Sequence, residues 1–171
     1  MNSKMRILLA ICCLPALLPA QDNLKATVTR YFTSVRRNLE AAADAMPAAK
    51  YSFKLTDGQM SFGEWMNHST ERNYADCSAL KGEAAPDAAK KVAGLKDKAE
   101  VSQALKDSFA YCAAALEGVS DQKVLASPQL TYSLLHIAVH NNEIYGNIAG
   151  YLRASGIVPP STAGRMGQKG K

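Results

Sequence analysis

The amino-acid sequence predicts an all-α protein, a four-helix bundle formed by one domain. Four long segments repeat apolar side chains at steps of three and four, which places those side chains on one face of a helix. Cap and stop residues mark the ends of these segments. We find neither the alternating pattern of half-buried strands nor an internal repeat. The 171 residues are enough for a single domain with its own core.

The first twenty residues have the pattern of a secretory signal peptide. Lys4 and Arg6 precede an apolar run at residues 7–18, and Ala20 is a small residue suited to cleavage. The apolar run is too short to span a bilayer as a helix. We therefore predict a periplasmic or secreted protein that is not stably inserted in a membrane after cleavage. The alternative is an uncleaved N-terminal anchor.

The charge balance argues against a nucleic-acid partner. The chain carries 20 Lys and Arg against 15 Asp and Glu, a net charge of +5. Removal of residues 1–20 lowers this to +3, and Arg165, Lys169 and Lys171 lie in the last eleven residues. The bundle, at residues 21–160, is therefore nearly neutral and lacks the basic surface that nucleic acids require. We predict a flexible basic tail at residues 161–171.

The first two helices are separated by an irregular connection. The apolar stripe of residues 22–46 predicts the first helix, which Pro47 stops. Residues 48–60 have mixed polarity and a turn signal, so we expect them to cross the bundle without regular structure. Ser61 and Glu64 form a capping-box pattern that begins the second helix. Gly82 is expected to end it.

The third and fourth helices are also bounded by cap residues. Residues 83–96 form a connector, and Asp97 begins a third helix that ends near Gly118. Ser127 is a favourable N-cap, and the following proline is favourable at the first helical position. Gly156 and the two prolines at 159–160 end the fourth helix.

Two cysteines follow the signal segment, and their state is left open by the sequence. Cys77 and Cys112 both lie on core-facing stripes. If their helices are neighbours joined by a tight turn, the two residues differ in height by more than ~10 Å. A disulfide requires Cα atoms within about 7 Å. The connector at 83–96 could shift the register, so the sequence is compatible with a disulfide and with two buried thiols.

Two of the three histidines in the chain are four residues apart. His136 and His140 therefore share one face of the fourth helix, where two imidazoles can bind one metal ion. The alternative is one buried and one exposed histidine without a ligand role. The helical wheel places both at the edge of the core face, which suits the mouth of a groove. Glu143, one turn beyond, could orient a ligand or act as a base, or it is simply a solvated carboxylate.

Two stretches of the chain resemble the DinB-like (damage-inducible) family. They are YSF and SFGEWMNH within residues 51–68, and HIAVHNNEIYGNIAGYLRASGIVPPS at residues 136–161. The resemblance extends over residues 24–161. It implies a four-helix bundle whose metal ligands are His68, His136 and His140, with Zn, Ni or Fe as the divalent metal. It also allows a homodimer. Some relatives are transferases or isomerases that use low-molecular-weight thiols. Those thiols are found in the reducing cytoplasm, so export of this chain argues against such a role.

These observations together predict a divalent-metal-dependent enzyme of the hydrolase or transferase type. Its substrate would be a small molecule, and no catalytic residue beyond the metal ligands is assigned. One alternative is a periplasmic metal-binding module without catalysis. Another is a structural bundle that binds no metal.

Overall fold

The computed structural model describes residues 23–169, with side chains to residue 166. This part of the chain is all helical and contains no strand, which confirms the predicted fold class. The predicted signal peptide lies outside the described residues. The α-helices are α1 (Asn23–Ala45), α2 (Phe62–Lys81), α3 (Lys98–Glu117), α4 (Asp121–Leu125), α5 (Pro128–Ala154) and α6 (Pro160–Lys169), and 3₁₀ turns occupy Ala48–Lys50 and Asp87–Gly94.

The predicted caps are present at the ends of the long helices. Ser61 accepts from the Glu64 amide at 3.3 Å, and the Glu64 carboxylate accepts from the Ser61 amide at 2.6 Å. Asp97 accepts from the Ala99 amide at 2.8 Å at the start of α3. Gly82 ends α2 with φ 77°, a conformation that glycine adopts without steric cost. These caps confirm the predicted helix limits to within one or two residues.

The four long helices form a bundle in which α1 packs on α3 and α5, and α2 packs on the same two helices. The pairs α1/α2 and α3/α5 are therefore diagonal. Helices α2 and α3 are parallel, because the contacts Asn73–Ser108 and Cys77–Cys112 have the same sequence separation of 35 residues. The connector at 82–97, which includes the 3₁₀ turns at Asp87–Gly94, returns the chain to the starting end of α2.

The remaining contacts complete an up-down-down-up arrangement. Helix α3 is antiparallel to α1, since Lys98 at its start donates to the Asp44 carbonyl and Glu117 at its end accepts from Lys25. Helix α5 is antiparallel to α2, because Trp65 contacts Tyr151 while residues nearer the end of α2 contact the start of α5. No helix in residues 23–169 combines the length and apolar character needed to cross a bilayer.

The parallel packing of α2 and α3 decides between the two alternatives for the cysteines. Cys77 and Cys112 form a disulfide, with Cα atoms 5.2 Å apart. A height difference of more than ~10 Å would have followed from a tight turn between the two helices. The long connector instead puts both cysteines at the same height. Both are fully buried, so the crosslink lies within the core.

Residues between α1 and α2 cross the end of the bundle, as predicted for this connection. Tyr51 is buried, and its hydroxyl donates to the Ala43 carbonyl at 2.7 Å and lies 2.8 Å from the Ser102 hydroxyl. Burial raises the pKa of Tyr51. Gly63 donates its amide to the Tyr51 carbonyl at 2.8 Å, and a Cβ atom there would lie only 3.2 Å from that carbonyl.

A short helix, α6, forms where the sequence predicted a tail. It begins at Pro160, which is favourable at a first helical position. The Tyr145 hydroxyl donates to the Ser161 hydroxyl at 3.0 Å and accepts from the Ser161 amide at 2.9 Å. Helix α6 also packs on α1. The apolar pattern of the sequence did not reveal this helix, since residues 160–169 contain little to bury.

Candidate metal centre

The antiparallel packing of α2 on α5 brings the three histidines of the chain together. His68 Nε2 on α2 lies 2.9 Å from His140 Nε2 on α5. The ring centroids of these two residues are 5.0 Å apart, and the rings are nearly perpendicular. His136, one turn earlier on α5, stacks on His140 with a centroid distance of 4.6 Å. The structure thus places all three predicted ligands side by side.

The cluster lies at the edge of the core, where the helical wheel predicted it. The side chains of His136 and His140 are 19% and 18% exposed. Ile137 and Ile144, on the neighbouring core face of α5, are buried. The two imidazoles are partly exposed, so solvent and small molecules can reach them.

A buried carboxylate holds His136. Asp76, near the end of α2, accepts from His136 Nδ1 at 2.6 Å and is almost completely buried. Arg72 contacts the other oxygen of Asp76 at 3.4 Å. In a neutral imidazole that donates from Nδ1, the other nitrogen, Nε2, carries the lone pair that can bind a metal. This is how histidine ligands of metals are commonly oriented.

His140 has a weaker carboxylate partner. Glu143 Oε2 lies 3.3 Å from His140 Nδ1, and the Glu143 side chain is 69% exposed. Burial lowers the pKa of His140 below its ordinary value, while the hydrogen bond to Glu143 opposes that shift and the neighbouring histidines add to it. The lowered pKa favours the neutral imidazole, which is the form that binds a metal.

An aromatic ring extends the stack of imidazoles along α5. Tyr132, one turn before His136, stacks on it with a centroid distance of 4.9 Å and an interplanar angle of 19°. The side chain is half exposed. Tyr132, His136 and His140 therefore form a column at successive turns, and Tyr132 covers one face of the predicted ligand His136.

A chain of buried polar groups fixes the position of α2 relative to α5 along the helix axes, and these are the helices that carry the histidines. Ser69 donates to Asn141 Oδ1 at 2.5 Å, and Asn141 Nδ2 donates to Asn73 Oδ1 at 2.8 Å. Asn73 in turn donates to Ser108 on α3 at 3.1 Å. Ser69 follows His68 and Asn141 follows His140, so the same register that satisfies these bonds brings the two imidazoles together.

The three imidazoles do not yet point at a common centre. Within residues 23–169, no three or more His, Cys, Asp or Glu side chains are arranged ready to hold a metal ion. A nitrogen lone pair lies in its ring plane, and the rings of His136 and His140 are inclined by only 12°. Their lone pairs therefore lie in two nearly parallel planes, and one ring has to rotate before both can bind one ion.

The pair His68–His140 is closer to the geometry of a metal site. Two nitrogens bound to one tetrahedral ion at about 2.0–2.1 Å lie about 3.3 Å apart. The observed Nε2–Nε2 distance of 2.9 Å differs from this by a small displacement. The donor set thus fits a divalent ion after a local rearrangement of side chains, and the ligand role of the three histidines stays a prediction.

Two residues of this site were missed from the sequence. Asp76 lies eight residues after His68, and Tyr132 lies four residues before His136. The four-residue spacing keeps Tyr132 on the face of His136, so an inspection of that face would have found it. Asp76 is turned about 80° round α2 from His68 and gave no such signal. The contact of Asp76 with the other helix depends on the packing of α2 on α5, which helical spacing alone does not give.

Comparison with known proteins identifies one family. The family model described as the DinB superfamily matches residues 31–143, about two thirds of the chain, including His68, His136 and His140. No curated protein matches the chain significantly, and neither does a solved structure.

Proposed function

The chain belongs to the DinB superfamily, and we propose that it is a divalent-metal-dependent enzyme of the hydrolase or transferase type. The observation that carries this proposal is the meeting of all three histidines, from two helices, with the two Nε2 atoms of His68 and His140 at 2.9 Å. Histidines without a shared role have no reason to gather at one solvent-accessible edge of a bundle.

The proposed ligands are His68, His136 and His140, and the proposed metal is Zn, Ni or Fe. A bound divalent ion would act as a Lewis acid and would lower the pKa of a bound water toward about 7. Asp76 accepts from His136 Nδ1 and thereby fixes the orientation of the ring. Glu143 and Tyr132 are exposed, contact the imidazoles and carry groups that could exchange a proton with a substrate.

Metal reconstitution followed by a substrate screen tests this function. The apo protein is loaded in turn with Zn²⁺, Ni²⁺ and Fe²⁺ and is assayed with nitrophenyl esters, phosphate esters and acyl or alkyl donors. We expect turnover that requires the metal and is lost in His68→Ala. Asn147→Ala, on the same polar strip of α5 about two turns after His140, is the matched control and should retain it. Metal binding without turnover would instead support the non-catalytic module.

Asp76→Asn tests the carboxylate behind His136. The amide keeps the shape of Asp76 but removes its charge and its preference for accepting from Nδ1. We expect the affinity for the metal to fall by about 10- to 100-fold, as it does when such partners of metal-bound histidines are removed. Calorimetric titration of the apo protein with the metal measures this. An affinity equal to that of the wild type would show that Asp76 does not orient a ligand.

The pH dependence of His140 gives a second test in the apo protein. Its pKa is lowered from 6.5 by burial, so the unfolded chain binds more protons than the folded chain as pH falls below that value. The apo protein therefore loses stability on acidification through this region. Because Glu143 raises the pKa, Glu143→Gln should lower it further. NMR titration of the His140 ring measures both, and a wild-type pKa above 6.5 would contradict the prediction.

We also propose that the protein acts after export. The signal-peptide pattern of residues 1–20 supports this, and so does the buried disulfide Cys77–Cys112, because such bonds persist in oxidising compartments. Sequencing the N-terminus of protein recovered from the periplasm or medium should give Gln21 as the first residue. Recovery of the full-length chain in the cytoplasm would contradict export. A homodimer stays a prediction from the family resemblance.

A further inference from the structure

A groove lies between α1 and α3, on the side of the bundle away from the histidines. Its volume is about 520 Å³, which falls within the range of about 300–1,000 Å³ that small-molecule sites occupy. The side chains of Phe32 and Leu116 form an apolar floor and are themselves buried. Phe32 also packs on Phe109 at a centroid distance of 5.5 Å, so the floor is anchored in the core.

Small side chains on both helices leave this groove open. Along α1 the groove is lined at steps of four by Lys25, Thr29, Thr33 and Arg37. On α3, the opposite wall carries Ala113. Threonine and alanine are too short to fill the space between the helix axes. The Oγ1 atom of Thr29 is buried and has no hydrogen-bond partner in the described part of the chain.

The charged residues of the groove are not equivalent. Arg36 is paired with Glu40 at 2.8 Å, and Lys25 donates to the Glu117 carbonyl at 3.3 Å at the other end. Arg37 is exposed and makes no ion pair with any residue in 23–169. The groove therefore combines an apolar floor with Thr33 and the guanidinium of Arg37 towards one end, while the Glu117 carboxylate lines the other end together with Lys25.

We propose that this groove binds a small amphipathic monoanion, such as an aryl sulfonate or a medium-chain carboxylate. The apolar body of the ligand lies on Phe32 and Leu116, and its anionic head accepts hydrogen bonds from Arg37. Thr33, one turn before Arg37 on the same helix face, provides a hydroxyl beside the head group. This site is separate from the histidine cluster, which is formed by α2 and α5.

Fluorescence titration with anilinonaphthalene sulfonate tests the proposal on the native protein. We expect saturable binding at one site. Arg37→Gln should weaken it by about tenfold, because it removes the charged donor that pairs with the anionic head of the probe. Arg30→Gln removes the same charge from an exposed position on α1 outside the groove, and it should change the affinity by less than about twofold.

Two further variants complete the test. Ala113→Leu fills the groove and should abolish binding, whereas His136→Ala should leave it unchanged because the histidine cluster lies elsewhere. Circular dichroism confirms that each variant is folded. Equal affinities for Arg37→Gln and Arg30→Gln, or loss of binding in His136→Ala, would overturn the proposal. So would a wild-type protein that does not bind the probe.

Discussion

Replacing both Cys77 and Cys112 with alanine is expected to lower the free energy of unfolding by about 3–4 kcal/mol. The disulfide closes a loop with a sequence separation of 35 residues. Loss of a crosslink of this span increases the conformational entropy of the unfolded chain, which stabilises the unfolded state by about 3–4 kcal/mol. The midpoint of thermal unfolding should fall by about 6–16 °C, at about 2–4 °C per kcal/mol for a chain of this size.

Reduction of the disulfide in the wild-type protein provides the control for this prediction. Urea unfolding of the wild type with dithiothreitol should approach the curve of the double alanine variant, whereas the variant itself should not respond to dithiothreitol. A loss below about 1 kcal/mol in both experiments would contradict a disulfide between α2 and α3 that constrains the unfolded chain.

Asn141→Ala is expected to cost about 2–3 kcal/mol of stability, since it leaves buried polar partners unpaired. Asn141 accepts from Ser69 and donates to Asn73 and to the Ile137 carbonyl. Its removal leaves the Ser69 hydroxyl and the Asn73 carbonyl oxygen without these bonds inside the core. The same variant also removes the hydrogen bonds between α2 and α5 that keep the two helices in the register in which His68 lies beside His140.

Asn142→Ala is the matched control, because Asn142 is the next residue of α5 and is exposed. Among the described residues its side chain donates only to the Ala138 carbonyl, so its removal should change stability by less than about 0.5 kcal/mol. Urea unfolding of the two variants gives the comparison. Equal stabilities would show that the buried polar chain contributes little to the fold.

The limits of the helices could be predicted because they depend on local chemistry. Ser61, Asp97 and Ser127 cap the helices that follow them, and Gly82 takes the left-handed conformation at the end of α2. Each of these residues acts on backbone groups within four positions of itself. Apolar spacing then gave the buried face of each helix, so the all-α class followed from the sequence.

The direction of α3 could not be predicted in the same way. The connector at 82–97 contains few apolar residues, and its spacing does not say whether it makes a tight turn or runs the length of the bundle. The disulfide Cys77–Cys112 depends on that choice. The contact of Asp76 with His136 likewise depends on how α2 and α5 are aligned, and the parallel stacking of His136 on His140 depends on side-chain torsions.

The most direct test of the proposed centre is the metal content of the wild type compared with that of His136→Ala. Both proteins are purified without a histidine tag, and elemental analysis follows before and after reloading with Zn²⁺, Ni²⁺ or Fe²⁺. We expect about one equivalent of a single metal in the wild type and almost none in the variant, because a site with two remaining imidazoles holds the ion far more weakly. A wild type that takes up no metal, or a His136→Ala protein with the same content, would contradict the three-histidine centre.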